Sequence, residues 1–174
     1  PSNLPPVEAA DVAPGFVGQH RFGLWTLVCE NVAAKVAEAP PVHICRANAR
    51  VTVRAGGGTQ QLLAAGLNVV MMKTQPGPAM LFRLPPTASA ADSIDFAIDD
   101  NTTFKAPLRC TQNECIAQGA LPPDAVEQLR AGKKLSIVYT IKDQKQQDLK
   151  VRVDQDLHGF RQAFDAMSRA VAPA

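Results

Sequence analysis

The sequence predicts a mainly β fold: a β-sandwich of short antiparallel strands, with a short helix near residues 123–131 and a second helix at the C-terminus. Three observations lead there. Apolar and polar side chains alternate along several short segments, as they do when one face of a strand is buried. Proline and glycine turns separate those segments at short, regular intervals. Helical spacing of apolar residues occurs only late in the chain.

The first twenty residues, PSNLPPVEAADVAPGFVGQH, carry Pro1, Pro5, Pro6 and Pro14. Proline fixes φ and removes a donor, so residues 1–20 read as an extended arm. Residues 21–170 read as one domain and 171–174 as a tail. Trp25, Leu27 and Cys29 alternate with Thr26 and Val28 within FGLWTLVCE. His43–Arg54 ends in Val51 and Val53 set against Thr52 and Arg54, before a turn at Gly56, Gly57 and Gly58. Leu67–Lys73 and Ala79–Leu84 read as two strands joined at Pro76-Gly77-Pro78. Ile94, Phe96 and Ile98 face one way, and Asp100-Asn101 supplies turn chemistry before Phe104 and Leu108 resume extended chain. Leu121-Pro122-Pro123-Asp124 opens the short helix, with Gly132 past its end. Leu135–Lys142 and Leu149–Val153 form a late hairpin around the polar loop 143–148. From about Gly159 to Ala170, Phe160, Phe164 and Met167 recur at helical spacing. Both helices read as additions to the sheet.

A chain of 174 residues is long enough for one domain with a core and short for two. Its 46% apolar and 20% charged content is that of an ordinary globular protein. A net charge of +2 does not point to nucleic acid, which calls for a clustered basic face. Apolar stretches such as Val69–Met72 fall far short of the roughly 20 residues that span a bilayer as a helix. The chain begins at Pro1 and not at Met, which reads as a mature end left after removal of an export signal.

Four cysteines, Cys29, Cys45, Cys110 and Cys115, suit an oxidising compartment. Redox couples use C-x-x-C at a helix start, where the dipole lowers a thiol pKa; C-x4-C in the polar stretch R-C-T-Q-N-E-C has neither feature. Zinc knuckles need closely spaced pairs, and Cys29 and Cys45 are too far apart in sequence. His20, His43 and His158 share no ligand spacing. Gly56-Gly57-Gly58-Thr59 lacks the Gly-Lys-Ser/Thr of a phosphate loop. Asp92, Asp95, Asp99 and Asp100 lack the spacing of a calcium loop, and alternation places Asp95 and Asp99 on the solvent face. Lys133, Lys134, Lys142, Lys145 and Lys150 read as a solvated hairpin. Trp25 reads as a core anchor, joined by Phe160 and Phe164.

Four segments occur in a fixed order: F-G-L-W-T-L-V-C-E from Phe22, C-x4-C at Cys110, L-P-P-D-A-V-E-Q-L-R-A-G-K-K from Leu121 and L-H-G-F-R-Q-A-F from Leu157. In this the chain resembles the invasion-associated locus B family of bacterial envelope proteins, over about Phe22 to Met167. Members typically open on G-x-W-x-x-x-C and end on a strand followed by a G-F-x-x-A helix. The resemblance implies a secreted or periplasmic β-sandwich with two disulfides. With sequence proximity it implies Cys29–Cys45 and Cys110–Cys115, worth roughly 3 and about 2 kcal/mol of loop-closure entropy. It carries over no catalytic residue. The long proline arm and the stretch between Cys29 and Cys45 depart from the pattern.

The function read from the sequence is a non-catalytic, exported protein-binding module, an accessory subunit docking on an envelope or membrane-bound complex. Docking is assigned to the arm, through Pro1, Leu4, Pro5, Pro6, Val7, Pro14 and Phe16, and to the sheet surface. No cofactor, metal or small-molecule substrate is indicated. Two other readings stand beside it: an invasion-associated factor acting at the host-cell interface, and a thiol oxidoreductase using Cys110 and Cys115.

Overall fold

A computed structural model describes residues 4–54, 61–73 and 77–173, so Pro1, the Gly56–Gly58 turn and Pro76 lie outside the described residues. Ten strands follow in chain order: β1 (Gly18–Phe22), β2 (Trp25–Val32), β3 (Val42–Arg54), β4 (Gln61–Met72), β5 (Ala79–Leu84), β6 (Ser93–Ile98), β7 (Phe104–Cys110), β8 (Cys115–Ala120), β9 (Lys134–Lys142) and β10 (Asp148–Asp156). A 3-10 helix, Pro86–Ala90, links β5 to β6, while α1 (Pro123–Ala131) and α2 (Phe160–Val171) precede β9 and follow β10. All strand pairs are antiparallel, in the order β1-β2-β3-β4-β5-β8-β7-β6-β9-β10. One curled sheet therefore supplies both layers of the fold. The mainly antiparallel β class with two helices is the one the alternation predicts.

Three local features differ from the sequence reading. The segment from Phe22 to Glu30 is two strands, because Gly23 at φ +59° starts a two-residue turn that pairs Phe22 with Trp25. The first strand begins at Gly18, inside the span read as arm. An additional strand, β8, hides in C-I-A-Q-G-A, whose small residues blur the alternation of buried Cys115 and Ala117. The turn chemistry at Asp99-Asp100-Asn101 is realised as a type I′-like turn: Asp99 and Asp100 have φ of 53° and 57°, and the Asn101 N–H donates to the Ile98 carbonyl at 3.0 Å.

Period-two alternation sends one face of each strand inward. Leu27, Leu67, Phe82, Phe96 and Ile137 are among the buried side chains of that face. A side-chain hydrogen bond from β9 to β4 helps tie the curl across the core. In the β3–β4 ladder Val51 pairs with Ala65 and Thr52 with Leu63, leaving Ala64 as the extra residue of a bulge. Its carbonyl has no strand partner in that ladder and accepts instead from the Tyr139 hydroxyl of β9 at 3.1 Å. Burial of this phenol raises its pKa.

The two helices are not equivalent. In α1 only Ala125 and Leu129 are buried. In α2 Phe160, Ala163, Phe164, Ala166, Met167, Ala170 and Val171 are all buried, so this helix is part of the core and not an addition to it. It packs on β2 and β3, where Ala47 and Ala49 leave room for close approach. Trp25 meets Phe160 edge-on at 4.9 Å between ring centroids, and its indole N–H donates to the Asp156 carbonyl at 3.1 Å.

The corner between β10 and α2 is set by Gly159, at φ +92°. A side chain there would collide with the backbone of Phe22. Next to it the Leu24 N–H donates to the His158 carbonyl at 3.0 Å, which fixes the β1–β2 turn against the corner. Gly159→Ala should therefore destabilise the fold by more than about 3 kcal/mol, adding left-handed strain to a backbone clash. Urea denaturation measures this, and a midpoint within error of the wild type would contradict the account.

Candidate functional site

Alternation that sends Cys45, Ala47 and Ala49 inward sends Ile44, Arg46, Asn48 and Arg50 to the opposite face of β3. On β4 the outward set is Gly66, Asn68, Val70 and Met72, and on β5 it is Ala79, Leu81 and Arg83. These residues, with Glu30 and Gln118, line a groove of about 800 Å³ on the outer face of the sheet. Registers across the strands sort it into rows: Arg46–Val70–Ala79, then Asn48–Asn68–Leu81–Gln118, then Arg50–Gly66–Arg83.

The middle row is a hydrogen-bonded amide floor. Asn68 is only 5% exposed. It donates from Nδ2 to the Leu81 carbonyl at 3.1 Å and accepts at Oδ1 from Asn48 Nδ2 at 2.8 Å. A buried amide satisfied in this way is a rigid floor. The arginines above it are partly exposed. Arg83 pairs with Glu114 at 2.7 Å, and Arg46 meets Glu30 at 3.5 Å. Arg50 has no ion-pair partner among the described residues. Three arginines and one glutamate therefore face a concavity that also offers amides and aliphatic side chains. That combination suits recognition of an anionic, partly apolar ligand.

The arm lies along the chain's own α2. Gln162 Nε2 donates to the Val7 carbonyl at 3.4 Å, Arg169 Nη2 to the Ala10 carbonyl at 2.6 Å, and the Gly15 N–H to the Ala170 carbonyl at 2.8 Å. Val12 is buried, while Val7 and Phe16 pack half-buried against the core. The Phe16 carbonyl sits 2.8 Å from His43 Nε2. Of the arm residues assigned to docking, Val7 and Phe16 are thus engaged within the molecule. Leu4, Pro5, Pro6 and Pro14 are exposed, and Leu4, Pro5, Pro6 and Val7 border a cleft of about 450 Å³ that also includes His20 and His158. Two histidines far apart in sequence therefore share one cleft.

Cys29 is bonded to Cys45 and Cys110 to Cys115, and no described cysteine is free. Each pair joins directly opposed residues, of β2 and β3 in the first case and of β7 and β8 in the second. His43 lies close to the Cys29–Cys45 bridge, but bonded sulfurs offer no thiolate to a metal. Trp25, Phe160 and Phe164 are buried core residues.

The four aspartates go separate ways. Asp95 pairs with Lys105 at 2.9 Å, and Asp99 accepts from the backbone N–H groups of Lys133 and Lys134. Asp100 binds Arg152 at 2.9 Å and Lys134 at 3.4 Å, whereas Asp92 accepts the Leu108 N–H through its backbone carbonyl. Lys142 pairs with Asp148 at 2.7 Å, so the late lysines are partly neutralised. Hydrogen bonds from Arg152, then Lys134, hold the Asp100 carboxyl below its ordinary range. Asp154 is lowered chiefly by the Ser136 hydroxyl, at 2.6 Å, and also by Arg152, against some desolvation.

With this geometry in place, comparison with known proteins identifies the family. The profile described as invasion associated locus B (IalB) protein matches residues 25–168, most of the chain, and the chain belongs to that family. The crystal structure of invasion associated protein b from Bartonella henselae has the same fold, with a TM-score of 0.63 at 17% identity, covering 86% of this chain and 94% of that one. No curated protein matches the chain by sequence.

Two outcomes are expected. Removing the Arg169 contact to Ala10 by Arg169→Ala should loosen the arm by about 1 kcal/mol, a severalfold faster proteolytic cleavage within residues 4–17 while the rest resists. Unchanged digestion kinetics would mean the arm is held by other contacts. Asp154 has a folded pKa below its unfolded one, so its contribution is complete above about pH 4–5 and is lost as pH falls through the folded value. Asp154→Asn should lower stability at pH 7 by at most about 1 kcal/mol, because the pair is surface-exposed. The difference from wild type should close in parallel denaturation curves as pH falls through the folded value; a gap that persists in acid would remove the assigned origin in the Ser136 and Arg152 contacts.

Proposed function

We propose that this member of the invasion-associated locus B family is a non-catalytic binding module of the bacterial envelope, which docks a partner protein in the outer-face groove of β3, β4, β5 and β8. The observation that carries the reading is the groove itself: about 800 Å³ of concave sheet surface combining arginine, amide and aliphatic side chains. Two disulfides support export to an oxidising compartment. The sheet surface takes over the docking role, while the arm, engaged with α2 through Gly15 and Arg169, acts as a strap on the module.

A thiol oxidoreductase has less support. Cys115 is buried, and the Cys110–Cys115 bridge closes a hairpin loop instead of opening a helix. An invasion-associated role draws on the family's name and would use the same groove with a host-side partner.

Photo-crosslinking separates these sites. A photoreactive residue at Gln118 or Arg50 should give one discrete protein adduct in the envelope fraction of the source cells, whereas the same residue at Pro5 or Lys145 should give none. Adducts from Pro5 with none from Gln118 or Arg50 would return docking to the arm and sink the groove.

A further inference from the structure

We infer that the row Arg50–Gly66–Arg83 is a carboxylate clamp and that the groove's occupant is an acidic peptide segment carrying aliphatic side chains; this rests on the proposed docking in the groove. Gly66 is paired with Arg50 of β3 on one side and Arg83 of β5 on the other. All three residues line the groove. Two inter-strand spacings place the arginine Cα atoms about 10 Å apart, with a bare backbone between them. An arginine-flanked glycine leaves space for a carboxylate that any larger residue would occupy.

The donors are available. Among the described residues Arg50 makes no ion pair. Arg83 commits Nη1 to Glu114, which leaves Nε and Nη2 of its five-donor fork. Guanidinium–carboxylate bonds are charge-assisted and suited to two-point geometry. Beside the clamp, Asn48 Oδ1 and the Gln118 amide have no hydrogen-bond partner among the described residues and can take up peptide N–H and C=O groups. Beyond them Ile44, Val70 and Met72 form an aliphatic stretch interrupted by Arg46, matching a ligand in which acidic and aliphatic residues alternate.

The same lining disfavours other ligands. Among the described residues that line the groove no side chain is aromatic, which gives no stacking platform for nucleic-acid bases. A lipid headgroup would use the arginines but leave the amide row without a role. Glu114, bonded to Arg83, is a built-in competitor for the incoming carboxylate.

The test uses a synthetic peptide of alternating glutamate and leucine, its lysine-for-glutamate counterpart and phosphatidylglycerol vesicles, with amide chemical shifts read on the full chain. The acidic peptide should bind, shift Gly66, Asn68 and Arg83, and weaken as salt is added. Arg50→Gln should reduce affinity roughly tenfold or more, and Glu114→Gln should strengthen it severalfold. Gly66→Val should abolish binding without loss of thermal stability: the site's nearest neighbour to an added Cβ is the Arg83 Cβ at 3.5 Å, and valine is the better strand residue. Equal binding of the two peptides, full affinity in Gly66→Val, or vesicle binding with no peptide binding would each overturn the clamp. A groove crosslink without acidic-peptide binding would remove the clamp and keep the docking site. Acidic-peptide binding without any groove crosslink would keep the clamp and remove the protein-docking reading.

Discussion

The close approach of Gly159 to the Phe22 backbone governs how the rest of the molecule is assembled. Only a residue without a side chain fits there, and only a left-handed φ turns the chain from β10 into α2 at that point. The corner is held by two further bonds, from the Leu24 N–H to His158 and from the Trp25 indole to Asp156. Together they direct α2 across β2 and β3 and bring Phe160 against Trp25. The first hairpin, the last strand and the C-terminal helix are thereby fixed to one another.

Two consequences follow for the surface. Because α2 covers the inner face, it also supplies the ledge on which the arm rests, and carbonyls of Val7 and Ala10 are taken up by Gln162 and Arg169. A proline-rich segment biased toward extended conformations loses little entropy on being laid along a helix. Among the described residues no helix covers the outer face of β3–β5, which keeps its polar side chains. One strand therefore does two jobs: Ala47 and Ala49 admit the helix, while Arg46, Asn48 and Arg50 line the groove behind it.

The disulfides act locally. Each joins residues already opposed in a ladder, so they pin the β2–β3 and β7–β8 registers and do not tie distant parts together. Long-range cohesion comes from the apolar core, from the Leu24 and Trp25 bonds at the β10–α2 corner, and from the Tyr139 bond to the carbonyl that the β4 bulge leaves open. Register matters for the groove, because a slip of one residue would turn Arg50 and Asn68 inward.

By itself the sequence determined the β class, both helices, the burial of Trp25, Phe160 and Phe164, and the family, because period, capping and local motifs are written in neighbouring residues. Alternation also says which face a side chain takes. It does not say which strand lies beside it. Arg50 and Arg83 are on different strands and flank one point of the sheet only because both pair with β4 at Gly66. The resting place of the arm on α2 likewise depends on where Gly159 sends that helix. Those outcomes belong to the tertiary structure, since strand pairing and helix packing are contacts between residues remote along the chain.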